Sequence, residues 1–437
     1  MKRLMVLMLA LIVSGPVVAE VKIKEVTSPG GLTAWLVEDH SIPFTALELR
    51  FRGGTSLDGP GKRGSIYLMT ALIEEGAGEL DSRAYARTVE GLAASFGFDS
   101  SSDSVSVSAR FLSENRAAAL GLLRETLHNP RFDQSAIDRV RGQVISGLRS
   151  DAKDPDEIAA AAFRRLAFGD HPYGTDGAGT IETISGLSRD DIIAAKRAVF
   201  SREHLYIGAV GDITAQELGV LIDDLLGDLP ATGATIPGPA TVGLTGGVTV
   251  VDFDTPQSVA LFGHAGIDQD DPDFFAAYVL NQVLGGGSFE SRLMNEVREK
   301  RGLTYGVYSY LSPRDLAATY RGGVSSANGK IAEAIAVISD EWAKAAHDGI
   351  TQAEMDAAKT YLTGAYPLRF DGNARIAGIL VSMQMQDLPI DYIATRNARV
   401  EAVTLADVNR VASELLQPEG LRFVVVGKPE GLEGDTD

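Results

Sequence analysis

The sequence predicts an α+β protein made of two similar halves, each a mainly antiparallel sheet with helices packed on one face. Three observations predict it. Four landmarks recur at one offset of 216 positions: Ser188 with Thr404, Asp191 with Asp407, Leu205 with Leu421, and Gly211 with Gly427. Chance gives one such match, whereas four at a single offset indicate an internal duplication. The stretch PATGATIPGPATVGLTGG, residues 230–247, is rich in Pro, Gly, Ala and Thr and reads as a linker between two packed units. Within each half, strand-like segments come early and late with long helical stretches between them, the order of α+β architecture.

Taken in chain order, the first nineteen residues read as a secretory leader. Lys2 and Arg3 supply its positive start, an apolar run follows over 4–13, and Val17-Val18-Ala19 offers small residues for cleavage before Glu20. The run is too short for a bilayer-spanning helix, which places the mature chain in the periplasm or outside the cell. The first half, 20–229, opens with segments 46–52 and 102–111, where apolar and polar residues alternate as in half-buried strands. Helical stretches follow over 114–128, 134–149 and 156–168. Ser188 with Asp191 then makes a helix-capping pair, and the helix leads into the strand LYIGAVGD. The second half, 248–437, repeats the plan. Phe262 and Tyr278 stand 211 positions after Phe51 and Tyr67, and Thr404 with Asp407 caps a helix that leads into LRFVVVGK.

Composition narrows the functional classes. The 437 residues are 45% hydrophobic and 23% charged, enough for two domains of roughly 200 residues each. Cleavage of the leader removes Lys2 and Arg3 but no acid, so the net charge falls from −19 to −21. An acidic surface of this kind argues against nucleic acid as a partner. There is no cysteine, which excludes thiolate catalysis, cysteine-ligated metal and disulfides. No two of the six histidines, His40, His128, His171, His204, His264 and His347, share helical spacing. Glu74 and Glu75 are adjacent and point to different sides of a helix.

The most informative motif is LNQVLGGGSFESRLMNEVREKRGLTYGVYS, residues 280–309: an apolar helix, a glycine turn, a second helix, then Arg298 and Tyr305 seven positions apart. The glycines suit left-handed turn geometry, and a phosphate loop is excluded because no strand precedes and no Lys-Ser/Thr follows. This motif, FGDHPYG at 168–174 and the order of segments resemble the two-domain zinc peptidases of the pitrilysin and insulinase type, including the subunits of mitochondrial processing peptidase. The resemblance spans nearly the whole mature chain. It implies that Arg298 and Tyr305 contact a peptide substrate. Active members carry H-x-x-E-H on a first-domain helix, two histidines on one helical face for zinc and a glutamate to deprotonate water, with a later glutamate completing the site. Here the helix after Gly64 reads Tyr67-Leu68-Met69-Thr70-Ala71. Tyr67 and Ala71 stand at the histidine positions, Thr70 at the glutamate position and Gly147 at the later ligand.

The resemblance therefore implies a non-catalytic homologue that holds no zinc of its own. It pairs with a catalytic, zinc-bearing homologue as a heterodimer and contributes peptide binding to its proteolysis. The alternative is a homodimeric peptide-binding scaffold without peptidase activity. Arg298 and Tyr305 are expected to face an inner cavity, with Gly302 ending the helix between them.

Overall fold

The computed structural model describes residues 21–287, 290–432 and 434, so the leader assigned to 1–19 lies outside the described residues. In the first half, strands β1 (Lys24–Thr27), β2 (Thr33–Glu38) and β3 (Phe44–Arg52) precede helix α1 (Ser65–Leu72). The short ladder of β4 (Gly76–Ala77) and β5 (Leu80–Asp81), helix α2 (Ser82–Gly91) and strands β6 (Ser95–Ser100) and β7 (Ser104–Leu112) follow. Next come α3 (Arg116–His128), α4 (Gln134–Asp151), α5 (Pro155–Phe168), α6 (Ile181–Gly186), α7 (Arg189–Val199), β8 (Leu205–Gly211) and α8 (Ala215–Leu226). The second half has β9 (Gly247–Asp252), β10 (Gln257–Ala265), α9 (Phe274–Leu284), β11 (Val307–Arg314) and β12 (Ala317–Ala327). It closes with α10 (Ile331–Asp348), α11 (Gln352–Ala365), α12 (Asn373–Met385), α13 (Tyr392–Ala402), α14 (Leu405–Leu415) and β13 (Arg422–Gly427).

The two sheets match strand for strand. The first runs β1-β2-β8-β3-β7-β6 and the second β9-β13-β10-β12-β11, so β2-β8-β3-β7-β6 and β9-β13-β10-β12-β11 correspond, with β1 an added edge. Among the described residues, each sheet has one parallel pairing, at the same place in both: β2 with β8 and β9 with β13. The paired caps expected at Ser188–Asp191 and Thr404–Asp407 form in both directions, backbone to side chain and back.

Alternation along the strands sends each sheet's residues to two different covers. In the first, Leu47, Leu49 and Phe51 of β3 and Val105 and Val107 of β7 face the half's own helices. Trp35, Ala46 and Val210 face the other way, against Ala377, Leu380 and Met383 of α12. In the second, Phe262, Phe423 and Val425 pack on α9, α10 and α14, while Val424 and Val426 pack on Phe163, Ala167 and Ala159 of α5. Each half therefore lends one helix to the outer face of the other half's sheet. The linker follows this exchange rather than hanging free: Gly243 donates to Ala167 O at 2.8 Å and Ala240 to Leu316 O at 2.7 Å.

Two polar groups buried in this frame titrate abnormally. Trp342, fully buried on α10, donates to His264 Nε2 at 3.1 Å, and His264 Nδ1 lies 2.6 Å from Ala265 O. Burial lowers the imidazole pKa of this β10 histidine, which is 1% exposed and belongs to the core. Glu48 of β3 lies 3.3 Å from Arg50, yet burial outweighs that attraction and lifts its carboxyl to about 7. The folded state holds a proton that the unfolded chain releases near 4.5, so Glu48 costs stability increasingly as pH rises from 4.5 to 7, at up to about 1.4 kcal/mol per pH unit. Glu48→Gln is expected to raise the melting temperature at pH 8 and leave it unchanged at pH 5; an equal shift at both values would refute this reading.

Candidate functional site

Helix α1 carries Tyr67, Thr70 and Ala71, and its start is held by several contacts. Gly64 precedes it at φ 92°, where a Cβ would come 2.6 Å from Ala178 O. Asp58, nearly buried, caps the helix: its carboxylate accepts from Gly64 N at 2.8 Å, Ile66 N at 2.9 Å and Ser65 Oγ at 2.7 Å. Desolvation nonetheless pushes this carboxyl upward. Arg63 donates to Asp176 O at 3.0 Å, Pro172 O at 2.9 Å and Thr175 O at 3.2 Å, tying the helix to the loop that follows FGDHPYG.

Ile66, Leu68, Met69 and Leu72 turn inward, while Tyr67, 39% exposed, and Ala71 share the outer face with Glu74. Spacing has placed the residues where a metal-binding pair would stand, but a phenol and a methyl group occupy the positions. Thr70 is buried and its hydroxyl donates to Ile66 O at 2.8 Å, so it is engaged with its own helix. On α4, which packs beside α1, Gly147 is exposed and a Cβ there would meet nothing within 4 Å. This donor set does not fit zinc, which takes imidazole, thiolate or carboxylate ligands. Among the described residues no group of three His, Cys, Asp or Glu side chains could hold a metal ion. Glu75 is bound to Arg139 of α4, and Glu74 is shifted upward by desolvation and by the charges of Asp99 and Glu75. What remains is a cleft of about 200 Å³, lined by Tyr67, Ser101, Arg164, Thr175 and Asp176 among others.

Arg298 and Tyr305 occupy an unexpected local structure. Met294–Glu299 is a π-helical turn rather than the α-helix expected, with Lys300 N donating to Asn295 O at 2.9 Å. Gly302, at φ 59°, ends it as the sequence suggests. The wider turn means that seven residues do not make two α-helical turns. The side chain of Arg298 is one-third exposed and lies 3.5 Å from Glu299. Tyr305 is 88% exposed. Neither lines the Tyr67 cleft or the larger cleft of about 1140 Å³ between the halves. The expectation that they face an inner cavity is therefore not met at Tyr305, which is turned to the outer surface. Thr304 holds the loop in place by donating to Ser325 O at 2.6 Å.

Sequence reasoning missed the two tyrosines that follow. Tyr308 and Tyr310 of β11 are 48% and 41% exposed and stack with ring centroids 6.2 Å apart. The alternation in Tyr308-Ser309-Tyr310 was the available signal. Tyr310 pairs in register with Arg321 of β12, whose guanidinium lies over Phe163 at 4.6 Å and makes no hydrogen bond or ion pair among the described residues. Desolvation lowers its pKa.

The role of FGDHPYG is also clear from the geometry. His171 Nδ1 accepts from Tyr173 N at 3.1 Å, and its Nε2 lies 3.1 Å from Gly238 O on the linker. Tyr173 is fully buried, donates to Asp103 and accepts from Leu316 N at 3.1 Å, while the Arg314 guanidinium lies 3.5 Å from its ring centre. The phenol thus joins the β6–β7 turn to the β11–β12 turn. Burial and the Asp103 charge hold it far above the usual tyrosine range.

The chain is similar along most of its length to known proteins. Residues 34–178 match the family model "Insulinase (Peptidase family M16)", and residues 186–362 match "Peptidase M16 inactive domain". It is 27% identical over 390 residues to the "Non-peptidase homolog YmxG" of Helicobacter pylori, covering 89% of this chain and 90% of that protein. It is 25% identical over 413 residues to an "Uncharacterized zinc protease" of Streptomyces coelicolor, covering 90% and 87%. Among solved structures, the peptidase M16 inactive domain from Pseudomonas fluorescens superposes with a TM-score of 0.88 at 28% identity, over 94% of this chain and 99% of that one. A protease from Helicobacter pylori gives 0.83 at 18% identity, covering 93% and 99%, a likeness of fold alone.

Proposed function

The chain belongs to the insulinase family of peptidases, M16, and on that premise we propose that it is a non-catalytic member. In this reading it is exported and works in the periplasm beside a zinc-bearing homologue, to which it contributes peptide contacts through Arg298 and Tyr305. One observation carries it: α1 is firmly framed, yet the three groups it should present are replaced, at Tyr67, Thr70 and Ala71, and so is the fourth, at Gly147 on α4. Selection for a fold without its metal chemistry suits a subunit that encloses substrate for a partner. The exposure of Tyr305, Tyr308 and Tyr310 on one stretch supports the same reading, since unburied aromatic rings favour contact with another chain.

Purified chain is expected to hold no stoichiometric zinc and to cleave no peptide. Because the frame persists, the quadruple variant Y67H, T70E, A71H, G147E is expected to bind one zinc per chain, measured by elemental analysis against the parent. One tightly held zinc in the parent, with chelator-sensitive hydrolysis, would overturn the non-catalytic reading. Pull-down from the native periplasm separates the two assemblies: recovery of a homologue with intact H-x-x-E-H supports the heterodimer, and recovery of this chain alone supports the homodimeric scaffold.

A further inference from the structure

Where α12 crosses from its own half to the first sheet, it leaves a cavity of about 540 Å³ beneath it, within the size range of small-ligand sites. Six aromatic rings line the cavity, from Phe274, Phe275, Tyr278, Tyr366, Phe370 and Tyr392. Four arginines line it as well and no acid does, in a chain whose net charge is −19. Such a concentration of one charge costs repulsion, and the costs are specific.

Arg396 is 4% exposed and its guanidinium lies over Tyr366 at 4.5 Å and Tyr278 at 5.2 Å. Its Nη1 donates to Leu362 O and Asn397 Oδ1 at 2.8 and 2.9 Å, and its other N–H groups make no hydrogen bond among the described residues. Arg50 uses Nη1 for Ser382 at 3.0 Å and Nη2 for Glu48 at 3.3 Å, which leaves Nε buried and without a partner. Arg369 and Arg375 make no hydrogen bond or ion pair among the described residues. Arg375 also sits in the first turn of α12, against the helix dipole, where no acid and no capping side chain offset it.

Rigid aromatic walls suit a flat ring, and unspent guanidinium donors suit a carboxylate, which arginine meets in bidentate fashion. We propose that this cavity binds an aromatic group bearing a carboxylate, either the C-terminal aromatic residue of a peptide or a free aromatic acid. The site is separate from Arg298 and Tyr305 and needs no zinc-bearing partner, so its failure leaves the reading above standing.

Calorimetry on the full-length mature chain tests it with N-acetylphenylalanine, N-acetylphenylalaninamide and a hexapeptide ending in a free phenylalanine carboxylate. The acid and the peptide are expected to bind saturably, and the amide at least ten-fold more weakly. Arg369→Ala and Arg375→Ala, both at exposed positions, are each expected to weaken the acid several-fold. Gly378→Phe fills the cavity from a position where a Cβ meets no atom within 4 Å, and should abolish binding without lowering the melting temperature. Tighter binding of the peptide than of N-acetylphenylalanine assigns the site to peptide termini, and the reverse assigns it to free acids. Equal binding of acid and amide, or unchanged binding in Gly378→Phe, overturns the proposal.

Discussion

In a complex reconstituted with the zinc-bearing homologue, Arg298→Ala or Tyr305→Phe is expected to lower peptide turnover about 10²-fold while leaving the melting temperature of this chain in place. The size follows from the role proposed: loss of one donor to the developing oxyanion costs about 2.7 kcal/mol, which is about a hundredfold in rate. The insensitivity of stability follows from position. Tyr305 is 88% exposed, so removing its hydroxyl uncovers little. The ion pair between Arg298 and Glu299, at 3.5 Å with Glu299 more than half exposed, is a surface pair worth less than about 1 kcal/mol. Turnover at saturating partner, measured beside thermal melting, separates the two roles. Unchanged turnover would reduce this chain to a scaffold, and a fall in melting temperature with normal turnover would make the pair structural.

The duplicated fold was legible because its signals are local. The Ser188 and Thr404 caps and the alternation of 46–52 each state a backbone preference within a few residues, and their spacing repeats. The shared outer face of Tyr67 and Ala71 was legible for a related reason: i and i+4 on one helix fix a common face whatever surrounds it. Three features were not. The π-helical turn before Gly302 depends on one extra residue per turn, and nothing in Met294–Glu299 distinguishes it from a good α-helix. Tyr173 reads as a loop residue until the β11–β12 turn, over 140 positions away, supplies Leu316 N. The crossing of α5 and α12 was hidden because both simply read as helices with buried apolar residues. Those residues show that the helices are covered, and say nothing about which sheet covers them.

That crossing predicts an effect at a distance in sequence. Phe163→Ala, in the first half, is expected to destabilise the protein by about 3–5 kcal/mol and to loosen the second half's sheet. Phe163 is fully buried against Val424, Ala317 and Leu261, and a Cβ on Gly263 of β10 would come within 3.1 Å of its ring. Among the described residues, the strands in that cluster, β10, β12 and β13, all belong to the second half. Leu380→Ala on α12 should do the converse, at about 2–5 kcal/mol, since Leu380 packs with Trp35, Ala46 and Val210 of the first sheet. Hydrogen exchange followed by peptide mass reads the location: protection should fall in β10 and β13 for Phe163→Ala and in β3 and β8 for Leu380→Ala. Loss confined to each helix's own half would refute the exchange. The same geometry means that neither half is self-sufficient. Cut within 230–247 and produced alone, the first half would leave Trp35 and Val210 uncovered and the second would leave Val424 and Val426 uncovered, so each is expected to be insoluble alone. Co-expression should restore a soluble pair, because each fragment carries the helix that closes the other.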